Sequence, residues 1–207
     1  MIRQRRHPAA TQRTARLEAF TDGVFAIAAT LLVLDLTMHP LGDASTDAGL
    51  WAALLDMWPL FLNFALSFVL LCLLWMTHVQ QFEHVARVDA MMIWLNNARL
   101  LFIVLVPFAT GLTTEFSDEL AGRMAMPVTF FLAILCSRLQ WLWATRHREV
   151  MLPDLTDAQA RAYGRGATSA LVIAALVVAL SPLIGSAAFL LFLFDGVLTR
   201  LLRRQGD

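Results

Sequence analysis

Apolar residues dominate this chain and recur in runs whose lengths suit a bilayer. A helix needs about 20 predominantly apolar residues to cross a hydrocarbon core of about 30 Å. Runs of this kind occupy Phe20–Met38, Trp51–Trp75, Met91–Leu112, Met124–Trp143, Thr168–Ser181 and Leu183–Leu202. With their flanking turns they predict helices over about 17–38, 51–77, 90–112, 124–144, 167–181 and 183–202. Between the last two, Ser181-Pro182 and Gly185-Ser186 leave room only for a very short turn. That composition favours a tight hairpin over one long kinked helix. Residues 1–15 read as an Arg-rich tail, and 16–207 as a single six-helix unit. The connection from Thr145 to Gly166 reads as a solvated, partly helical linker. The triplet Asp22-Gly23-Val24 recurs as Asp195-Gly196-Val197, too short a match to define a repeat.

Composition narrows the class. Of 207 residues, 58% are apolar and 15% charged, against about 25% charged in a soluble domain. Too few polar residues remain to cover a soluble surface. This excludes a soluble enzyme, a nucleic-acid-binding domain and a disordered chain, and predicts an all-α integral membrane protein whose partner is the lipid bilayer. Cys72 and Cys136 both fall inside apolar runs and read as packing residues, not as a disulfide or metal framework.

Net charge is zero, yet the charges are unevenly placed. Every basic residue is an arginine. With the N-terminus cytoplasmic, the inner segments hold Arg3, Arg5, Arg6, Arg13, Arg16, Arg87, Arg138, Arg146, Arg148, Arg161, Arg165, Arg200, Arg203 and Arg204. The outer loops hold only Arg123, beside Asp43, Asp47, Glu115, Asp118 and Glu119. This bias predicts an even number of crossings with both termini inside. The first apolar run reads as a retained spanning helix; no small-residue cleavage site follows it.

Ionisable groups within membrane segments are costly and mark functional or buried structural sites. Asp22 opens the first helix, His78 and Glu83 close the second, and Asp89, Asn96, Asn97 and Arg99 begin the third. All share the cytoplasmic third of the predicted topology. They are therefore expected to form one network, in which Arg16 and Arg99 offset Asp22 and Asp89. On the first helix Ile27, Leu31 and Leu34 are spaced i, i+4, i+7 and share one narrow face. Such a face is ordinary packing in a monomer. Repeated around an axis, it forms apolar rings that gate by excluding water.

The segment Arg16-Leu-Glu-Ala-Phe20-Thr21-Asp22-Gly23-Val24-Phe25-Ala26-Ile27 resembles the Arg-x-x-x-Phe-Ser-Asp signature of the transmembrane protein 175 family of potassium channels. Thr21 replaces the usual Ser. Trp75-Met-Thr-His78-Val-Gln-Gln-Phe82 is similar to that family's Trp/His stretch, with Val79 where a second His is common. Leu95-Asn96-Asn97 through Pro107-Phe108 resembles its third helix, so the likeness covers roughly residues 16–110 well and the rest mainly by topology.

The resemblance implies six helices per subunit, a homotetramer, and, for a single repeat, a prokaryotic protein of the plasma membrane. It implies that the first helix lines a central pore. Ile27 would form the narrowest ring, with Thr30, Leu31 and Leu34 also facing the pore. Arg16, Phe20, Thr21 and Asp22, with Trp75, His78, Asn97 and Arg99, would brace that helix. The permeant species would be monovalent cations, K+ foremost, with no cofactor. The sequence has no Thr-Val-Gly-Tyr-Gly loop to replace hydration water with backbone carbonyls. An apolar ring offers almost no compensating coordination, so it favours the ion that loses water more cheaply, potassium over sodium. Asp35 is placed to attract cations at the outer mouth.

Three other functions remain open at this point: a carrier, a membrane enzyme and a non-conducting scaffold, the last of which would show no ion flux when reconstituted. A proton-coupled or cation secondary transporter would use Asp22, Asp35 or Asp195 as relays, but the internal repeats and broken midplane helices of carriers are not evident. A membrane enzyme would need His78 and His84 as ligands, and a spacing of six does not place them on one helical face.

Overall fold

The structure, a computed structural model, describes residues 12–38 and 45–195. The tail arginines Arg3, Arg5 and Arg6, the outer-loop Asp43, and Arg200, Arg203 and Arg204 lie outside the described residues, as does the side chain of Asp35.

Within those residues the fold is helical apart from one two-residue ribbon. Helix α1 (Ala15–Met38) starts where the Thr14 carbonyl accepts the N–H groups of Leu17 and Glu18, at 2.8 and 3.0 Å. The second predicted helix divides in two. A short α2 (Asp47–Asp56), capped by Thr46, stops at Met57, and α3 (Trp58–Phe82) then carries Pro59 in its first turn. Proline suits that position because its missing N–H has no helical partner there anyway. Helix α4 (Ala90–Glu115) is capped by Asp89, and α5 (Leu120–Arg146) follows after a short turn.

The expected linker is largely helical. After α5 come a single turn, α6 (Arg148–Met151), and then α7 (Asp157–Ile184), which begins well before residue 167. A capping box explains this start: Thr156 Oγ1 accepts the Gln159 N–H while Gln159 Oε1 accepts the Thr156 N–H. Pro182 does not end α7. The break comes at Gly185, whose φ of 57° is a conformation that glycine adopts without a Cβ penalty. A 3-10 segment, Gly185–Phe194, then folds back along α7. Its return is fixed by Phe189 against Phe130 and by Ser169 Oγ donating to Asp195 Oδ1 at 2.6 Å. Residues of the sixth expected helix beyond Asp195 lie outside the described residues.

Among the described residues, five segments are long and apolar enough to cross a membrane: Ala15–Leu34, Trp58–Phe82, Ala90–Glu115, Leu120–Arg146 and Asp157–Phe194. Helices α4 and α5 pair most extensively; α7 lies on α5, and α1 packs on α4 and α3. The main core joins Phe25 and Leu32 of α1 to Leu71 of α3, Ile103 of α4, Phe130 of α5 and Val177 of α7. A second core closes one end of the bundle, where Phe82, Val88, Met92, Trp141, Met151 and Leu152 meet. There strand β1 (Gln12–Arg13) pairs antiparallel with β2 (Arg87–Val88), tying the foot of α1 to the α3–α4 turn. In an apolar 18-residue stretch of each span only 22–39% of the residues are buried within the chain, so much of the apolar surface needs lipid or other subunits to cover it.

The opposite end depends on one close approach. Gly122, in the first turn of α5, lies against the backbone of Phe116. A Cβ there would sit 1.9 Å from the Phe116 carbonyl oxygen and 2.6 Å from its carbon. Thr113 Oγ1 donates to Gly122 O at 2.7 Å and holds the turn shut. Alanine gains about 1 kcal/mol of helix propensity over glycine, but this clash is with backbone and no rotamer relieves it. Gly122→Ala is expected to destabilise the protein by about 1–3 kcal/mol, read as a lower thermal midpoint in detergent. A midpoint at or above the wild-type value would show that the turn yields.

Candidate functional site

Helix α1 carries two opposed faces. Thr21, Phe25, Ala28 and Leu32, spaced i, i+4, i+7, i+11, are all buried against α3 and α4. At about 100° per residue, Ile27, Thr30, Leu31 and Leu34 centre roughly 140° away from that stripe. These side chains are exposed: Ile27 at 61%, Leu34 at 50% and Leu31 at 39%. Phe20 is exposed as well. Thr30 Oγ1 donates to the Ile27 carbonyl of its own helix at 2.8 Å, which leaves the oxygen free to accept on the outer side.

Behind the buried face runs a column of polar groups. Asn96 Nδ2 of α4 donates to Thr21 Oγ1 at 2.9 Å, and Gln140 Nε2 of α5 donates to Asn96 Oδ1 at 3.2 Å. One turn further along α4, Arg99 Nη2 donates to the Leu74 carbonyl at 2.6 Å and Nη1 to His78 Nδ1 at 3.2 Å. The guanidinium carbon also stands 5.7 Å from the centre of the Phe25 ring, within cation–π range. A guanidinium can only donate, so Nδ1 of His78 accepts and the ring proton sits on Nε2. Thr21, His78, Asn96, Arg99 and Gln140 are all fully buried. His78 Nε2, Arg99 Nε and Gln140 Oε1 find no hydrogen-bond partner among the described residues.

The carboxylates are used elsewhere. Asp22 Oδ1 accepts Trp75 Nε1 at 2.8 Å and so joins α1 to α3. Asp89 caps α4 through the Met92 N–H at 2.8 Å and accepts Trp143 Nε1 at 3.0 Å. The expected mutual offset of Arg16 and Arg99 by Asp22 and Asp89 is therefore not formed. Arg148–Asp157 is the sole ion pair among the described residues. The reason is angular: these residues share a depth, but their side chains leave their helices in different directions. Arg16 is exposed, and so is Asn97, while its neighbour Asn96 takes the buried position. His84 meets Tyr163, its Nε2 lying 2.7 Å from the phenolic oxygen, and not His78.

Three participants were not expected from the sequence. Gln140 lies within an apolar run, and an amide at that depth is the signal that would have found it. The Leu74 carbonyl leaves no trace in side-chain pattern. Phe25 is indistinguishable from core by composition.

Comparison with known proteins places this arrangement. Residues 16–107 match the family described as endosomal/lysosomal potassium channel TMEM175. A protein of Streptomyces collinus named a potassium channel is 35% identical over 72% of this chain and 73% of its own length. One from Chamaesiphon minutus, also named a potassium channel, is 41% identical over 58% of this chain and 60% of its own. The human endosomal/lysosomal proton channel TMEM175 is 35% identical over 68% of this chain, which spans only 30% of that longer protein. The crystal structure of a lysosomal potassium-selective channel TMEM175 homolog from Chamaesiphon minutus superposes with a TM-score of 0.66 at 33% identity, covering 90% of this chain and 97% of that one. With its signature helix, its bundle and these likenesses in agreement, the chain is a multi-pass helical membrane protein that belongs to the TMEM175 family.

Proposed function

We propose that the chain is one subunit of a potassium channel in which four copies surround a pore lined by the exposed face of α1. The observation that carries this reading is the two-faced character of α1. One face is locked into its own subunit while the other presents Ile27, Thr30, Leu31 and Leu34 outward. The family match at residues 16–107 includes this helix, and bacterial relatives of the chain are named potassium channels. Ile27 forms the narrowest ring, Leu31 and Leu34 extend the apolar wall, and the Thr30 hydroxyl is the nearest polar ligand. Asp35 and the acidic outer loops raise the local cation concentration. The subunit has six spans with both ends in the cytoplasm, and the channel sits in the plasma membrane of a prokaryote.

A ring of branched alkyl groups supplies no carbonyl dipoles to replace hydration water. An ion passes by shedding part of its shell, and potassium sheds it at lower cost than sodium. Selectivity of this kind is modest and depends on the bore. Each α1 must therefore hold its azimuth. In this reading Asp22–Trp75, Thr21–Asn96 and the Arg99–His78–Leu74 cluster do so from behind, with Arg16 and Asn97 left exposed for contacts between subunits.

The deciding measurement is the reversal potential of the purified protein in a planar bilayer with potassium opposed to sodium, repeated under a proton gradient because the animal relatives are named proton channels. A shift toward the potassium potential is expected. Saturable flux that requires a counter-substrate would support a carrier using Asp22 or Asp195 instead.

Ile27→Asn is expected to wet the constriction, raise conductance severalfold and move the permeability ratio toward equality, with Ile27→Ala intermediate. Unchanged selectivity in both variants would place the filter elsewhere. Arg99→Ala opens a cavity and leaves the Leu74 carbonyl and His78 Nδ1 with one partner fewer. It should cost about 2–5 kcal/mol, read as loss of thermal stability of the purified oligomer. A variant as stable as wild type would remove Arg99 from the brace.

A further inference from the structure

At the ribbon end of the bundle, α5, α6 and α7 line an open cavity of about 560 Å³. Its wall carries Arg138 of α5, Arg148 of α6, and Arg161 and Arg165 of α7, against a single carboxylate, Asp157. That carboxylate already pairs with Arg148. The other three guanidinium groups have no ion-pair partner among the described residues. Arg165 Nε is buried with no hydrogen-bond partner among the described residues.

The crowding is built into the packing. Helix α7 descends onto α5 at Gly164, where a Cβ would lie 3.5 Å from Trp141 Nε1 and 3.9 Å from Arg138 Nη1. Trp141 Nε1 donates to the Ala160 carbonyl at 3.3 Å and fixes the floor. Three like charges held around one partly enclosed space repel, and desolvation strengthens the repulsion. An anion offsets both. Guanidinium groups match phosphate oxygens in particular, through parallel N–H donors.

Depth identifies the source of that phosphate. Arg138 stands two turns, about 12 Å, inside the α5 terminus at Arg146. It is followed directly by Leu139, which is exposed, and Leu142 lines the cavity. The basic pocket therefore opens where an apolar flank meets an arginine-rich rim, the level of a phospholipid headgroup. Basic pockets between spanning helices on the cytoplasmic side hold acidic lipid headgroups. We propose that this cavity is a binding site for the phosphate of an anionic phospholipid, gripped by Arg138, Arg161 and Arg165, with the acyl chains leaving past Leu139 and Leu142. Occupancy clamps α7 to α5.

The test uses the delipidated, full-length protein in detergent, titrated with short-chain phosphatidylglycerol and, separately, phosphatidylcholine and inorganic phosphate, with the thermal midpoint and native mass spectrometry as readouts. Phosphatidylglycerol is expected to bind saturably and raise the midpoint, and phosphatidylcholine is not. In Arg138→Gln/Arg165→Gln the apparent affinity should fall about 30-fold, at roughly fivefold per arginine near the headgroup. If that double variant does not fold, the exposed Arg161→Gln is expected to weaken binding about fivefold, and salt at about 1 M to suppress it in the wild-type protein. Equal stabilisation by phosphatidylcholine, or phosphatidylglycerol binding indifferent to both salt and the arginines, would overturn the site. Stabilisation by inorganic phosphate to the same extent would assign it to a soluble anion and not to lipid.

Discussion

The fold is organised around a guanidinium that is buried in a membrane segment with no ion-pair partner among the described residues. Placing an arginine at the centre of a spanning helix costs about 2.5–3.5 kcal/mol on insertion scales, and more if it is left bare. Arg99 is compensated by a carbonyl from Leu74, a ring nitrogen from His78 and the face of Phe25. Each comes from a different turn of α3 or α1, so the three together fix how both helices lie on α4. The neutral column above it, Thr21–Asn96–Gln140, extends the same registration to α5. Apolar packing alone would permit such helices to slide or rotate, since lipid competes equally well for leucine and phenylalanine. Directional bonds to a buried cation do not permit it.

Registration matters because α1 has little surface of its own to spare. Its buried stripe is narrow, and its outward side is apolar from Phe20 to Leu34 apart from Thr30. A helix held by one stripe could present many different outward faces. Here Asp22 reaches sideways to Trp75, and the ribbon Gln12–Arg13 with Arg87–Val88 clasps its foot. The helix is thus constrained from behind, from the side and at its base.

Much of this was readable from residues in order. The runs around Phe20–Met38, Met91–Leu112 and Met124–Trp143 became α1, α4 and α5 because they are long, apolar and bounded by charge. The motif from Arg16 to Ile27 carried the family. What order along the chain cannot supply is azimuth. Asp22, Asp89, Arg16 and Arg99 read as a charged set at one depth and so as mutual partners, yet the two carboxylates took indole and backbone N–H donors. Local backbone chemistry also outweighed apolar pattern twice. Met57 and Pro59 split one predicted helix, and the Thr156–Gln159 capping box started another far ahead of its apolar run. Pro182 read as a turn, but proline forfeits only one helical bond, whereas Gly185 reverses the backbone itself.

The order of elements has a bearing on biogenesis. Phe25, Leu74 and His78 all precede Arg99 in the chain. During vectorial synthesis the helices that solvate the guanidinium have already left the ribosome when α4 reaches the translocon. The costliest residue of the bundle thus enters the bilayer into a half-built cage, and only Gln140, which secures the neutral Asn96, arrives later. The nascent protein need never expose that cation alone to hydrocarbon, and assembly proceeds in the direction of translation.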